Sequence, residues 1–146
     1  MTFQNNGYSP RSNSGSRGSY APQEPPAKAF PKDYVDFAER YMKEHYRQIT
    51  TSKLRNLLSL MMDVYNTEIL RDGDTLLADS VRKLQMARIR MAYECGRDRS
   101  TKEFVQGAYL LPWLKDIGTS RERAIAYIGY MEALVAYHRF FGGREN

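Results

Sequence analysis

From residue 33 onward the apolar positions of this chain recur every three or four residues, the period of an amphipathic α-helix. The first such run carries Tyr34, Val35, Ala38, Tyr41 and Met42 on one face, with Asp33 behind Pro31 as its N-cap and His45 packed at its far end. The second opens at Thr50-Thr51-Ser52, any of which can cap it, and turns Leu54, Leu57, Leu58, Met61, Tyr65 and Ile69 inward before Asp72-Gly73-Asp74. The third starts at about Asp74, aligns Leu77, Val81, Leu84, Arg88, Met91 and Cys95, and closes near Gly96. The fourth runs from about Ser100 to Lys115 with Phe104, Val105, Ala108, Leu111 and Leu114 inside, and Trp113 as packing. Pro112 should bend or split it, because proline lacks an N–H and its ring collides with the preceding turn. The last, capped by Ser120 and closed by Gly142-Gly143, is apolar almost all the way round from Ala124 to Phe141, the pattern of a helix that is central or shared with a second chain. The expected fold class is all-α, a compact bundle of about five helices over residues 32–146.

Residues 1–31 have a different composition, rich in Asn, Ser, Gly, Pro and Gln with isolated aromatics, and cannot bury enough apolar surface to offset chain entropy. They are expected to form a disordered tail. A length of 146 residues fits one domain. No apolar run approaches the 18 or more residues of a membrane span and no signal peptide opens the chain, so a cytoplasmic protein with no membrane partner is expected. One cysteine, Cys95, and two histidines, His45 and His138, make neither an internal disulfide nor a zinc site, and no metal or cofactor is expected.

Charge changes the picture more. The pI is near 9.3, which favours an acidic partner, nucleic acid first. Seven basic residues stand against two acids between Arg82 and Lys102, so the charge is a patch. On the third helix Lys83, Arg90 and Arg97 repeat every seven residues, drifting about 20° per repeat, and form a stripe facing away from the apolar one. Successive members lie roughly 10 Å apart from the rise per residue, a reach suited to phosphates along a strand. The second helix begins with Lys53 and Arg55 in its first turn, where the dipole favours acids. A docked anion would reverse that cost, so Thr51, Ser52, Lys53 and Arg55 form a candidate phosphate site. Arg88 lies on the buried stripe of its helix and requires a counter-charge. Glu132, the one acid in the middle of the last helix, is the candidate partner for a core ion pair. The chain has no H-x-x-x-H, paired-carboxylate or nucleophile-elbow spacing, which argues against an enzyme.

Three separated segments carry a family resemblance: Thr50-Thr51-Ser52-Lys53-Leu54-Arg55-Asn56-Leu57-Leu58, Arg88-Ile89-Arg90-Met91-Ala92-Tyr93-Glu94-Cys95-Gly96-Arg97, and Tyr130-Met131-Glu132-Ala133-Leu134-Val135-Ala136-Tyr137-His138-Arg139-Phe140-Phe141-Gly142-Gly143. In this order and spacing they resemble the small subunit of type III-A CRISPR effector complexes, the Csm complex. The resemblance spans about residues 33–143 and implies a non-catalytic helical subunit. Several copies of it stack as an inner filament against the backbone subunits, near the large subunit, and line the channel in which guide RNA and target RNA pair. It implies RNA contacts at Lys53, Arg55 and Arg97; Lys83 and Arg90 join them on the helical pattern alone. Arg88 falls in the second segment and keeps two roles open, RNA contact or core ion pair with Glu132. The chemistry fits, since RNA duplexes are met chiefly through phosphates, 2′-hydroxyls and shape. The alternative is a structural helical adaptor whose basic stripe is solvated and whose apolar last helix mediates assembly.

Overall fold

The computed structural model describes residues 28–146, and these form six helices: α1 (Tyr34–His45), α2 (Thr51–Glu68), α3 (Ala78–Arg97), α4 (Arg99–Gly107), α5 (Leu110–Asp116) and α6 (Arg121–Phe140). The all-α expectation holds; among the described residues the β-type pairing is an isolated bridge between Thr75 and Ser120. α6 is the central element, with α1 packed along one side and α2 along another. It buries Ala124, Tyr127, Ile128, Tyr130, Met131, Leu134 and His138, which accounts for its nearly continuous apolar sequence. α3 covers the far side of α2 and carries α4 and α5.

The fourth predicted helix is split, and Pro112 explains the split. As the third residue of α5, it sits in a first turn, where no N–H is required. The chain breaks upstream of it: α4 ends at Gly107, and Tyr109 adopts a left-handed conformation at φ 57°. In a continuous helix the Ala108 carbonyl would find no donor on Pro112. Here the Tyr130 hydroxyl donates to that carbonyl at 3.0 Å, and the Tyr127 hydroxyl donates to the Leu110 carbonyl at 2.9 Å. Burial pushes both phenols above their ordinary pKa.

α3 begins later than the apolar pattern suggests, at Ala78 instead of about Asp74. The residues between are held by the start of α6: the Leu76 N–H donates to the Thr119 carbonyl and the Arg121 N–H to the Asp74 carbonyl, both at 2.9 Å. The Leu77 N–H donates to Glu68 Oε1 at 3.0 Å. Glu68, the last residue of α2, is fully buried. Its carboxylate pairs with Arg71 at 2.5 Å, while Arg121 donates to its backbone carbonyl at 2.8 Å. Burial pulls the Glu68 pKa up, but hydrogen bonds from Ser80, the Leu77 amide and Arg71 outweigh it and leave it below the usual value.

At the N-terminal side, residues 28–31 pack on the bundle although their composition groups them with the tail. Trp113 Nε1 donates to the Lys28 carbonyl at 2.5 Å, and the Phe30 ring lies 5.2 Å from Trp113 and 5.9 Å from Tyr130. The rest of the expected tail, residues 1–27, lies outside the described residues. Asp33 occupies the N-cap position of α1, but its side chain makes no cap hydrogen bond; it lies 3.7 Å from Arg40. His45 is half-buried and stacks on Tyr41 at 4.3 Å.

Candidate nucleic-acid interface

Helical spacing alone brings residues 53, 56, 57 and 60 to one face of α2, and residues 90, 94 and 97 to one face of α3. These two faces border a groove of about 670 Å³, lined by Lys53, Asn56, Leu57, Ser59 and Leu60 from α2, by Arg90, Glu94 and Arg97 from α3, and by Asp98 and Thr101 beyond it. Three of the candidate RNA-contact residues, Lys53, Arg90 and Arg97, therefore share one groove. Arg55 does not line it. Two residues along a helix turn by about 200°, so Arg55 leaves α2 on the opposite flank, where it is exposed. Lys83 lies two turns before Arg90 on the same stripe, outside the groove, and pairs with Asp79 at 3.4 Å.

The groove also holds acids that the net charge of the stretch conceals. Glu94 lies 3.9 Å from Arg97, and Asp98 holds Lys53 Nζ at 2.5 Å. Asp98 at the same time caps α4: the Ser100 N–H donates to it at 3.2 Å and the Thr101 hydroxyl at 2.8 Å. The Lys53 contact, followed by the hydroxyls of Thr101 and Ser100, holds the Asp98 carboxyl well below the usual carboxylate range. Arg90 makes no ion pair within 4 Å among the described residues. Sequence reasoning passed over Asp98, although Asp98-x-Ser100-Thr101 is a recognisable N-cap pattern before Phe104 and Val105.

The start of α2 is closed by the chain itself. Its Thr51 N–H donates to the Arg144 carbonyl at 2.8 Å, its Ser52 N–H to the Glu145 carbonyl at 3.0 Å, and its Lys53 N–H to the hydroxyl oxygen of Thr50 at 3.3 Å. The candidate phosphate site at Thr51, Ser52, Lys53 and Arg55 is corrected accordingly: the amides it needed are satisfied, and Asp98 supplies the negative charge that the cationic first turn lacked. His138, fully buried, supports this corner through Ile49 O at 2.6 Å and Thr51 Oγ1 at 3.1 Å.

The core ion pair between Arg88 and Glu132 does not form. Glu132 is exposed, because the buried sector of α6 runs through Tyr127, Tyr130 and Leu134 and leaves position 132 just outside it. Arg88 is half-buried against α5, beside Leu114, Lys115 and Gly118. It points away from the groove by the same two-residue offset that separates Arg55 from Lys53, here relative to Arg90. No ion pair within 4 Å joins it to an acid among the described residues.

Among the described residues no three His, Cys, Asp or Glu side chains group as a metal site, and no helix is long and apolar enough to cross a membrane. The groove offers guanidinium and ammonium donors beside Asn56 and Ser59, an arrangement able to hold anionic oxygens.

Comparison with known proteins bears on the family of the chain. The family model for Csm2 of type III-A matches residues 28–144, a span that starts where Lys28 docks against Trp113. A protein of Streptococcus thermophilus named "CRISPR system Cms protein Csm2" is 36% identical over 121 residues, covering 78% of this chain and 95% of the relative. Proteins of the same name from Mycobacterium tuberculosis and Enterococcus italicus are 35% identical over 117 residues and 37% identical over 100. They cover 77% and 66% of this chain, and 94% and 70% of their own lengths. With the family model matching nearly the whole described domain and these relatives aligning over most of it, the chain belongs to the Csm2 family of type III-A CRISPR systems.

Proposed function

We propose that the protein is the non-catalytic small subunit of a type III-A CRISPR ribonucleoprotein effector, acting in antiviral defence in the cytoplasm. Copies of it stack as an inner filament beside the backbone and large subunits, and the α2–α3 groove meets the phosphates of the paired guide and target RNA. The observation that carries this reading is the convergence of Lys53, Arg90 and Arg97 on one groove from two different helices. A subunit that must accept any guide sequence should contact phosphate and sugar, and use few side chains that read bases. Lys and Arg at a groove meet that need, and Arg90, which makes no ion pair within 4 Å among the described residues, is the strongest contact. Lys53 exchanges Asp98 for a phosphate on binding. Arg55 and Lys83 lie outside the groove and act only as flanking charge.

The test is removal of all three groove cations. In the variant K53A/R90A/R97A, RNA affinity should fall, and the slope of log affinity against log salt should shrink by about 2–2.7, at roughly 0.7–0.9 per phosphate contact. Unchanged affinity and slope would remove the RNA reading. A second reading, a structural adaptor without RNA contact, draws on a specific feature: Met86, Ile89 and Tyr93 form an exposed apolar stripe along α3. Under that reading M86S/Y93S would abolish assembly while K53A/R90A/R97A left RNA binding by the assembled complex unaltered.

A further inference from the structure

Beyond the start of α2 a second groove, of about 580 Å³, opens between the α1–α2 turn, the start of α4 and the C-terminal segment. Arg47, Lys53 and Arg144 line it together with Thr50, Ser100 and Gln48. Its lining residues include no Asp or Glu side chain, in contrast to the α2–α3 groove with its Glu94 and Asp98. We propose that this second groove binds further phosphates of the same RNA through Arg47 and Arg144, so that the RNA track continues across Lys53 instead of ending there. The proposal rests on the RNA-binding reading above.

The two arginines are held in place by separate means. The Arg47 guanidinium lies 5.3 Å from the centre of the Tyr46 ring, a cation–π contact that restrains it while leaving its N–H fork free. Arg144 is fixed through its backbone: its carbonyl accepts from the Thr51 N–H at 2.8 Å and from the Thr51 hydroxyl at 3.2 Å. The Ser52 N–H, donating to the Glu145 carbonyl at 3.0 Å, pins the next residue. The segment is thus fastened to α2 by main-chain bonds, and the Arg144 side chain is spared for the groove. Neither Arg47 nor Arg144 makes an ion pair within 4 Å among the described residues.

Like charges gathered in a concavity raise the local concentration of counter-ions. A guanidinium matches phosphate oxygens through two parallel N–H donors. Lys53 lines both grooves, so the two adjoin at this residue. Asp98 touches this groove's border through Lys53 and the Ser100 hydroxyl, so Arg47 and Arg144 are the cations left to meet an anion there.

The deciding experiment measures the salt dependence of RNA binding by the full chain for wild type, R47A/R144A and K53A/R90A/R97A. The double variant keeps every main-chain bond of the C-terminal segment and should melt as wild type does. The proposal expects it to lower the log–log slope by about 1.4–1.8, again at roughly 0.7–0.9 per contact, and R47K/R144K to recover most of the loss. In the unmutated protein, the guanidinium Nε–H resonances of Arg47 and Arg144 should shift when RNA is added. A slope unchanged in R47A/R144A and resonances that stay in place, while the triple variant still loses slope, would overturn this proposal and leave the α2–α3 groove intact. Loss of slope in neither variant would overturn the RNA reading as well.

Discussion

Asp98 caps α4 through the Ser100 N–H and also holds Lys53 at 2.5 Å, so one carboxylate joins the architecture of the groove to its charge. D98N keeps an oxygen for the cap and removes the charge that holds Lys53. RNA affinity measured by fluorescence anisotropy should therefore rise in D98N, with the salt slope little changed, because Lys53 meets a phosphate in the bound state either way. A fall in affinity with unchanged stability would show that Asp98 positions Lys53 instead of competing for it. Glu68 and Asp98 both have pKa values below those of free side chains, 4.5 and 3.8. Between the unfolded and folded values the unfolded chain binds the proton first, so both groups add stability above about 4.5 that is lost as pH falls through their folded values. Urea denaturation from pH 7 to pH 3 should show this acid limb, and E68Q should flatten it while costing about 1–3 kcal/mol at pH 7. The cap at Asp98 was legible in the Asp98-x-Ser100-Thr101 pattern, but its contact with Lys53 and the role of Glu68 were not. Glu68 ends α2, where an acid faces the negative end of its own helix dipole, and its partners Leu77 and Arg121 reach it only once α3 and α6 are in place.

At the scale of elements, the apolar period found the helices because each buries a face whose spacing is fixed by 3.6 residues per turn. Their ends and neighbours depend on contacts that spacing does not contain. Pro112 foretold a split between α4 and α5 but not its place, since the break falls at Tyr109, where Tyr130 can serve the Ala108 carbonyl. Y130F leaves that buried carbonyl without its donor and should cost about 1–3 kcal/mol in chemical denaturation, whereas Y137F, at a half-buried position, should cost less. The Arg88–Glu132 pairing failed for a related reason: α6 packs on α1 and α2, and α3 packs on α2, α4 and α5. The close of α6 offers a steric test. A Cβ at Gly143 would overlap the His138 ring, which is tethered to Ile49 and Thr51 and has little room to yield. G143A should therefore destabilise by about 1–3 kcal/mol, as overpacking does, and should loosen the C-terminal segment, read as faster amide exchange at Thr51 and Ser52.

Across the whole molecule, the charge is distributed by tertiary contacts more than by the order of residues. The sequence identified a basic patch between Arg82 and Lys102, and two of its cations, Arg90 and Arg97, converge with Lys53 of α2, yet the groove they line carries Glu94 and Asp98 as well. Arg55 and Lys83, grouped with the others along the chain, fall outside that groove, Arg55 by its angle on α2 and Lys83 by its two-turn distance from Arg90 on α3. Arg47 and Arg144, far apart in sequence and attached to no basic run, come together only when the C-terminal segment crosses the start of α2. The most direct measurement compares the salt dependence of guide–target duplex binding for K53A/R90A/R97A with that for R55A/K83A, in protein that melts as wild type does. The account predicts a slope reduced by about 2–2.7 in the triple variant, at roughly 0.7–0.9 per contact, and nearly preserved in the double one. Equal losses per charge removed in the two variants, or no loss in the triple variant, would contradict it.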